Sequence, residues 1–171
     1  MTGIFVTCNT DAGYFPIDKV GSFAYWIKGG GLHLHGSGLF KTKVAGPWQA
    51  EMMAMINALH VLKKAKPPPV IGLIFNCDNI HARPGKSGNE LRQTLQKAIK
   101  EFKDDAKARL GKEEFKRVMK NVKQYAIFRH VKAHGPTDEK RTWVNDYLDK
   151  QCKKELRKWL AEHKKNKHEA I

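Results

Sequence analysis

The chain has 171 residues, with 32 lysines and arginines against 17 aspartates and glutamates, a formal net charge of +15 and a pI near 9.8. This length suits one domain with one sizeable core, and a 41% hydrophobic content arranged in clear apolar runs excludes a disordered chain. A surface this basic selects for polyanions, of which nucleic acid is the commonest.

Residues 3–8 read as a buried strand, and Asp11-Ala12-Gly13 as the turn that ends it, with Pro16 and Asp18 continuing the loop. Val20 to Lys28 alternates Phe23, Tyr25 and Ile27 as a second strand, and Gly29-Gly30-Gly31 signals a hairpin. Leu32, Leu34 and Leu39-Phe40 form a third strand, interrupted at Gly36-Ser37-Gly38 by a bulge or a second turn. Three strands joined by short turns make an antiparallel meander. Pro47 suits the first turn of a helix running from Trp48 to Lys64, with Met52, Met55, Ile56, Leu59 and Leu62 at helical spacing. Pro67-Pro68-Pro69 stops it. Val70 to Cys77 is a continuous apolar run, as in a strand buried on both faces, and the helix before it makes a parallel crossover. Glu90 to Val122 is helical and densely basic, split at Gly111; Gln124 to Val131 is a fifth strand; a last helix runs from about Arg141 to Ala161. The order is β-β-β-α-β-α-α-β-α in a single domain over 1–162, with 163–171 a basic, frayed or disordered tail.

Cys8, Cys77 and Cys152 contain no CxxC, and the expected state is buried, reduced thiols in a reducing compartment. No apolar stretch is long enough for a bilayer, and Met1-Thr2-Gly3 leads straight into a strand without a signal peptide. The expectation is a soluble monomer without membrane contact, cytoplasmic, or nuclear in a eukaryote. Met52, Met53 and Met55 read as core fillers, Trp143 and Trp159 as core, and His33 and His35 as exposed strand residues without a third ligand.

Four carboxylates stand in costly positions. Asp11 and Asp78 follow apolar strands, Glu51 lies among Trp48, Met52 and Met55, and Asp149 follows Val144, Tyr147 and Leu148. Strand ends and helix faces can converge, and converged carboxylates repel unless a cation joins them. Mg²⁺ or Mn²⁺ suits an all-oxygen set, and two such ions suit in-line phosphoryl displacement.

Several local motifs then point one way. Thr10-Asp11-Ala12-Gly13, Gln49-Ala50-Glu51-Met52-Met53-Ala54, Cys77-Asp78-Asn79, Val131-Lys132-Ala133-His134-Gly135 and the Asn145-x-x-x-Asp149 spacing occur in this order on the expected elements. Together they resemble the ribonuclease H-like superfamily, and more closely its type-1 branch, over residues 3 to about 160. The resemblance implies an α/β ribonuclease H-like fold, with a five-stranded mixed sheet of three antiparallel strands followed by parallel ones, flanked by helices. It implies two-metal hydrolysis of the RNA strand of an RNA/DNA hybrid, leaving 5′-phosphate and 3′-hydroxyl ends.

By the same resemblance Asp11, Glu51, Asp78 and Asp149 are the ligands of two Mg²⁺ ions (Mn²⁺ substituting), and His134 assists proton transfer or product release. Asp146 competes with Asp149 for the fourth place; Asn145 matches the motif only if Asp149 fills it. Gly13, Trp48, Gln49 and Asn79 are implied substrate contacts, together with Lys97, Lys100, Lys103, Lys107 and Arg109 in a basic helical protrusion over 88–123. Trp48 suits stacking on a nucleotide and packing at the helix start equally. The chain departs from the family at Ala12, at Pro136-Thr137-Asp138-Glu139-Lys140, which lengthens the segment after His134, and at Pro47-Trp48-Gln49, where many relatives carry residues that recognise a hybrid. A junction-resolving DNA nuclease and a non-catalytic nucleic-acid binder of the same fold are the alternatives.

Overall fold

The structure, a computed structural model, describes residues 2–78, 90–131 and 140–168. Strands β1 (Ile4–Phe15), β2 (Val20–Gly29) and β3 (Leu32–Leu39) are followed by helix α1 (Pro47–Lys64) and strand β4 (Val70–Cys77). Helices α2 (Glu90–Leu110) and α3 (Lys112–Met119), strand β5 (Ala126–His130) and helix α4 (Lys140–His168) complete the order. The sheet runs β3-β2-β1-β4-β5, antiparallel across the first three strands and parallel from β1 through β4 to β5. This is an α/β fold with a five-stranded mixed sheet flanked by helices, the architecture that the ribonuclease H resemblance implies.

Each face of the sheet buries a different layer. On one face, Val6, Cys8 and Ile27 meet Met52, Met55, Leu59 and Leu62 of α1 and Leu95 and Phe102 of α2. On the other, Ala24 packs with Leu148 and Cys152 of α4. Period-two alternation in β1 and β2 sends neighbouring residues to opposite layers, so the central strands are covered on both sides. All three cysteines are free and buried, as expected. Tyr125 clamps the start of β4, its buried hydroxyl donating to the Val70 carbonyl at 2.7 Å. Among the described residues no helix is long and apolar enough to cross a membrane.

Three expectations are corrected. Asp11-Ala12-Gly13 is not a turn: β1 continues through it, pairing Asp11 with Ala24 and Phe15 with Val20. The chain reverses at residues 16–19, where Pro16 has no N–H for the ladder and Lys19 takes a left-handed φ of 55°. The interruption expected at Gly36-Ser37-Gly38 is instead continuous strand, because those glycines sit opposite Tyr25 and Phe23. A Cβ at Gly36 would stand 2.6 Å from the Tyr25 hydroxyl, so the ring takes the room a side chain would fill. The last helix runs on to His168, beyond Ala161, into the residues read as a tail.

Gly13 earns its place through α4. A Cβ there would meet Leu156 Cδ1 at 2.8 Å and Ser22 Oγ at 2.6 Å. Gly13→Ala is expected to push α4 off β1 and cost about 1–3 kcal/mol, the usual range for overpacking, read as a lower urea midpoint at unchanged slope.

Candidate metal centre

β1 lies between the antiparallel and parallel halves of the sheet, and its far end carries Asp11. β4 runs parallel beside it, with Asn9 opposite Asn76, so Asp78 just past β4 emerges at the same end. α1 crosses between them and turns Glu51 inward, 4% exposed. The three carboxylates converge: one ligand atom from each of Asp11, Glu51 and Asp78 lies within 4.8 Å of the others. No segment of the chain brings them together by itself, because they come from three elements.

The Ala12 N–H is shared by two of them, donating to Asp11 Oδ1 at 2.9 Å and to Glu51 Oε1 at 3.2 Å. One shared donor does not balance the charges of Asp11 and Glu51. Burial, with the charge of Asp78 next and that of Asp149 as a smaller cause, pushes the Asp11 carboxyl up to about 7, although the Ala12 N–H pulls it down. Glu51 is raised by burial and then by the charges of Asp11 and Asp78. Its Oε2 is buried with no hydrogen-bond partner among the described residues. A buried, unpartnered carboxylate oxygen beside two further carboxylates fits a hard divalent cation such as Mg²⁺ or Mn²⁺, which takes oxygen ligands.

Asp149 stands at the rim. α4 runs along β1 in the same sense, from Trp26 opposite Asn9, past Asp11, to Phe15. That course sets Asp149 beside Asp11, and Cys152 one turn on donates its thiol to the Asp11 carbonyl at 3.3 Å. Asp149 acts on Asp11 through its charge, whereas Asp146 is not among the groups that shift Asp11. The Asp149 carboxylate is nevertheless ion-paired with Lys153 Nζ at 2.6 Å, and it lies outside the close trio. The sequence reading missed Lys153, although the Asp149–Lys153 spacing of one helical turn was there to see. It also missed the Ala12 N–H, which no residue type announces.

The other anticipated residues divide. Asn79 and His134, with the segment Pro136-Thr137-Asp138-Glu139, lie outside the described residues. Gly13 is half-buried and lies where α4 packs closely on β1, with Leu156 and Ser22 where a Cβ would stand. Trp48, 37% exposed, sits on the first turn of α1, one turn before Glu51. Gln49 bends back, its Oε1 accepting the Ala45 N–H. Lys100 pairs with Asp104 at 2.7 Å. Lys103 and Lys107 line a groove between α2 and α3, while Lys97 lies on the side of α2 towards His60 and α1.

Arg109 donates to the Pro67 carbonyl at 2.9 Å and pairs with Asp105. It therefore sits at the opposite end of β4 from Asp78, roughly 25 Å away at the rise of a strand. α2 and α3 turn Leu95, Phe102, Ala106 and Phe115 inward and leave most of their other residues exposed. Trp143, expected in the core, is 55% exposed, because it lies on the outward side of α4. Trp159 is half-buried between Phe15 and His163. His33 and His35 are exposed as expected, with Trp26 against both rings.

The fold and this site define an α/β domain whose central strands and first helix gather an acidic trio at one end of the sheet. No protein-family model matches the chain, and no curated protein matches it in sequence.

The raised carboxyls predict how metal and pH interact. Asp11 holds its proton more tightly folded than unfolded, so its contribution to stability is full below its ordinary value of 3.8 and is lost as pH rises through about 7. Glu51 shifts in the same direction. The metal-free protein is expected to lose Tm as pH rises from about 4 to about 7, at roughly 2–4 °C per kcal/mol, and Asp11→Asn to flatten that loss. Added Mn²⁺ is expected to raise Tm more at the higher pH, where the carboxylates are ionised and repel. Scanning fluorimetry with and without chelator reads both effects.

Proposed function

We propose that this protein is a metal-dependent nuclease of ribonuclease H type, hydrolysing the RNA strand of an RNA/DNA hybrid. The observation that carries the reading is the convergence of Asp11, Glu51 and Asp78 within 4.8 Å on a chain of net charge +15. An acidic trio on so basic a protein repels a phosphate backbone locally while the rest of the surface attracts it. That conflict disappears when the trio carries divalent cations. The sheet order and the motif order support the same reading.

Asp11, Glu51 and Asp78 would hold the ions, with Asp149 reaching in from α4 once its pairing with Lys153 is exchanged for a cation. Bound there, Mg²⁺ supplies positive charge for an in-line phosphoryl displacement and lowers the pKa of coordinated water. The chain's own residues hold and orient. The Ala12 N–H fixes Asp11 and Glu51 with respect to each other. Glu51, anchored in the core-facing part of α1, keeps the trio from spreading under its own repulsion. His134, in the family-like run Val131-Lys132-Ala133-His134-Gly135, would carry a proton to or from the reacting oxygens, as suits a group that titrates near neutrality.

End-labelled hybrid, duplex RNA and a four-way DNA junction, each with Mg²⁺, test the reading. Cleavage confined to the RNA strand of the hybrid is expected. Cleavage of the junction alone would identify a structure-selective DNA nuclease, and binding without cleavage of any substrate a non-catalytic protein of this fold. Asp78→Asn is expected to lower cleavage by roughly a thousandfold or more, the scale of losing several kcal/mol of charge stabilisation, while hybrid binding persists. His134→Ala is expected to cost about a hundredfold in kcat, and turnover at the wild-type rate would remove it from the mechanism.

A further inference from the structure

The outer face of α4 is unlike the rest of the surface. Trp143, more than half exposed, stacks on Tyr147 with ring centroids 5.8 Å apart and planes 17° apart. Trp26 backs both rings edge-on, at 5.6 Å and 5.4 Å. Lys28 lies 5.3 Å from the Trp26 ring, bringing a cation to the same cluster. The exposed Trp143 and the half-buried Tyr147 are thus held from behind by a ring fixed in β2.

Directly beyond it the helix turns basic. Residues 149–158 carry Lys150, Lys153, Lys154, Arg157 and Lys158 against Asp149 and Glu155 alone. Both acids are engaged within the helix, Asp149 by Lys153 at 2.6 Å and Glu155 by Lys158 at 3.5 Å. Lys150, Lys154 and Arg157 are exposed and make no ion pair among the described residues. Positions 143, 147, 150, 154 and 158 recur at three- and four-residue steps, so they form one stripe along the helix. The stripe runs about 22 Å from Trp143 to Lys158.

A basic track headed by an aromatic stack matches one ligand chemistry. Nucleobases stack on flat rings, and phosphates follow the cations, when the bases are unpaired and free to leave their own stack. A fully paired duplex offers phosphates to the lysines but no free base face to Trp143. We propose that the outer face of α4 binds single-stranded nucleic acid, a base stacking on the Trp143–Tyr147 pair and the backbone running along Lys150, Lys154, Arg157 and Lys158. This extends the proposed function only in sharing its nucleic-acid partner; it needs neither the metal nor cleavage. Asp149 faces Asp11 from the inner side of the same helix, so the stripe and the acidic trio lie on different sides of α4.

The test is binding of the full chain to fluorescein-labelled oligothymidylate of about 20 nucleotides in chelator, so that the metal centre plays no part. Trp143→Ala is expected to weaken binding about tenfold and Trp143→Phe by no more than about twofold, since a phenyl ring still stacks. The triple change Lys150→Gln, Lys154→Gln and Lys158→Gln is expected to lower the salt slope of binding by about 2, at roughly 0.7 per neutralised phosphate. Heparin, a polyanion without bases, should lose affinity in the triple variant and not in Trp143→Ala. Unchanged oligothymidylate binding by Trp143→Ala, with Tm at the wild-type value, overturns the proposal. An equal loss of heparin binding in that variant does so too, by removing the stacking role. Preference for vesicles with about 30% phosphatidylserine over oligothymidylate, lost in the triple variant, would make the stripe a membrane-facing surface and also overturn it. Failure of Asp78→Asn to affect hydrolysis would sink the carboxylate reading and leave this one standing.

Discussion

Carboxylate oxygens held within 4.8 Å of one another repel by about 3–4 kcal/mol per ionised pair at an effective dielectric near 20. The fold gathers this repulsion at one end of its sheet. Three backbone elements, each fixed by its own packing, bring Asp11, Glu51 and Asp78 together. β1 is paired on both edges, β4 is buried along nearly its whole length, and α1 is sealed by Met52, Met55, Leu59 and Leu62. The core therefore sustains the electrostatic conflict: burial first, and the charges of the neighbouring carboxylates second, keep the Asp11 and Glu51 carboxyls protonated to unusually high pH.

α4 connects this centre to the opposite surface. Its inner side carries Leu148 and Cys152 into the layer with Ala24, and Ser22 donates to the Cys152 carbonyl at 2.9 Å. Those contacts fix the helix rotation, which presents Asp149 to Asp11 and turns Lys150, Lys154 and Trp143 outward. Gly13 matters for the same reason: it lets α4 approach β1 closely enough for Asp149 to act on Asp11. One helix thus carries both an acid of the candidate centre and the basic stripe.

The periodic signals in the chain were readable wherever one physical cause dominated. The continuous apolar run Val70–Cys77 and the spacing of Met52, Met55, Leu59 and Leu62 named β4 and α1, because burial on two faces or on one stripe leaves a direct trace. Glycine was misleading twice. Gly13 suggested a turn and Gly36 a bulge, yet each gives room to a side chain from elsewhere, Leu156 in one case and Tyr25 in the other. A missing Cβ has the same sequence signature whether it frees φ or makes space.

The sequence by itself determined which acids stood in costly places, that the chain would be strongly basic, and in what order strands and helices would follow. Those properties are local, set by residue type, period and charge. Only the tertiary structure decided which acids meet. It drew Asp11, Glu51 and Asp78 together and left Asp149 at the rim, held by Lys153. It set Arg109 at the far end of β4 and turned Trp143 out of the core. The reason is that side-chain convergence depends on strand register and helix rotation, which packing between distant segments fixes and no stretch of sequence carries alone.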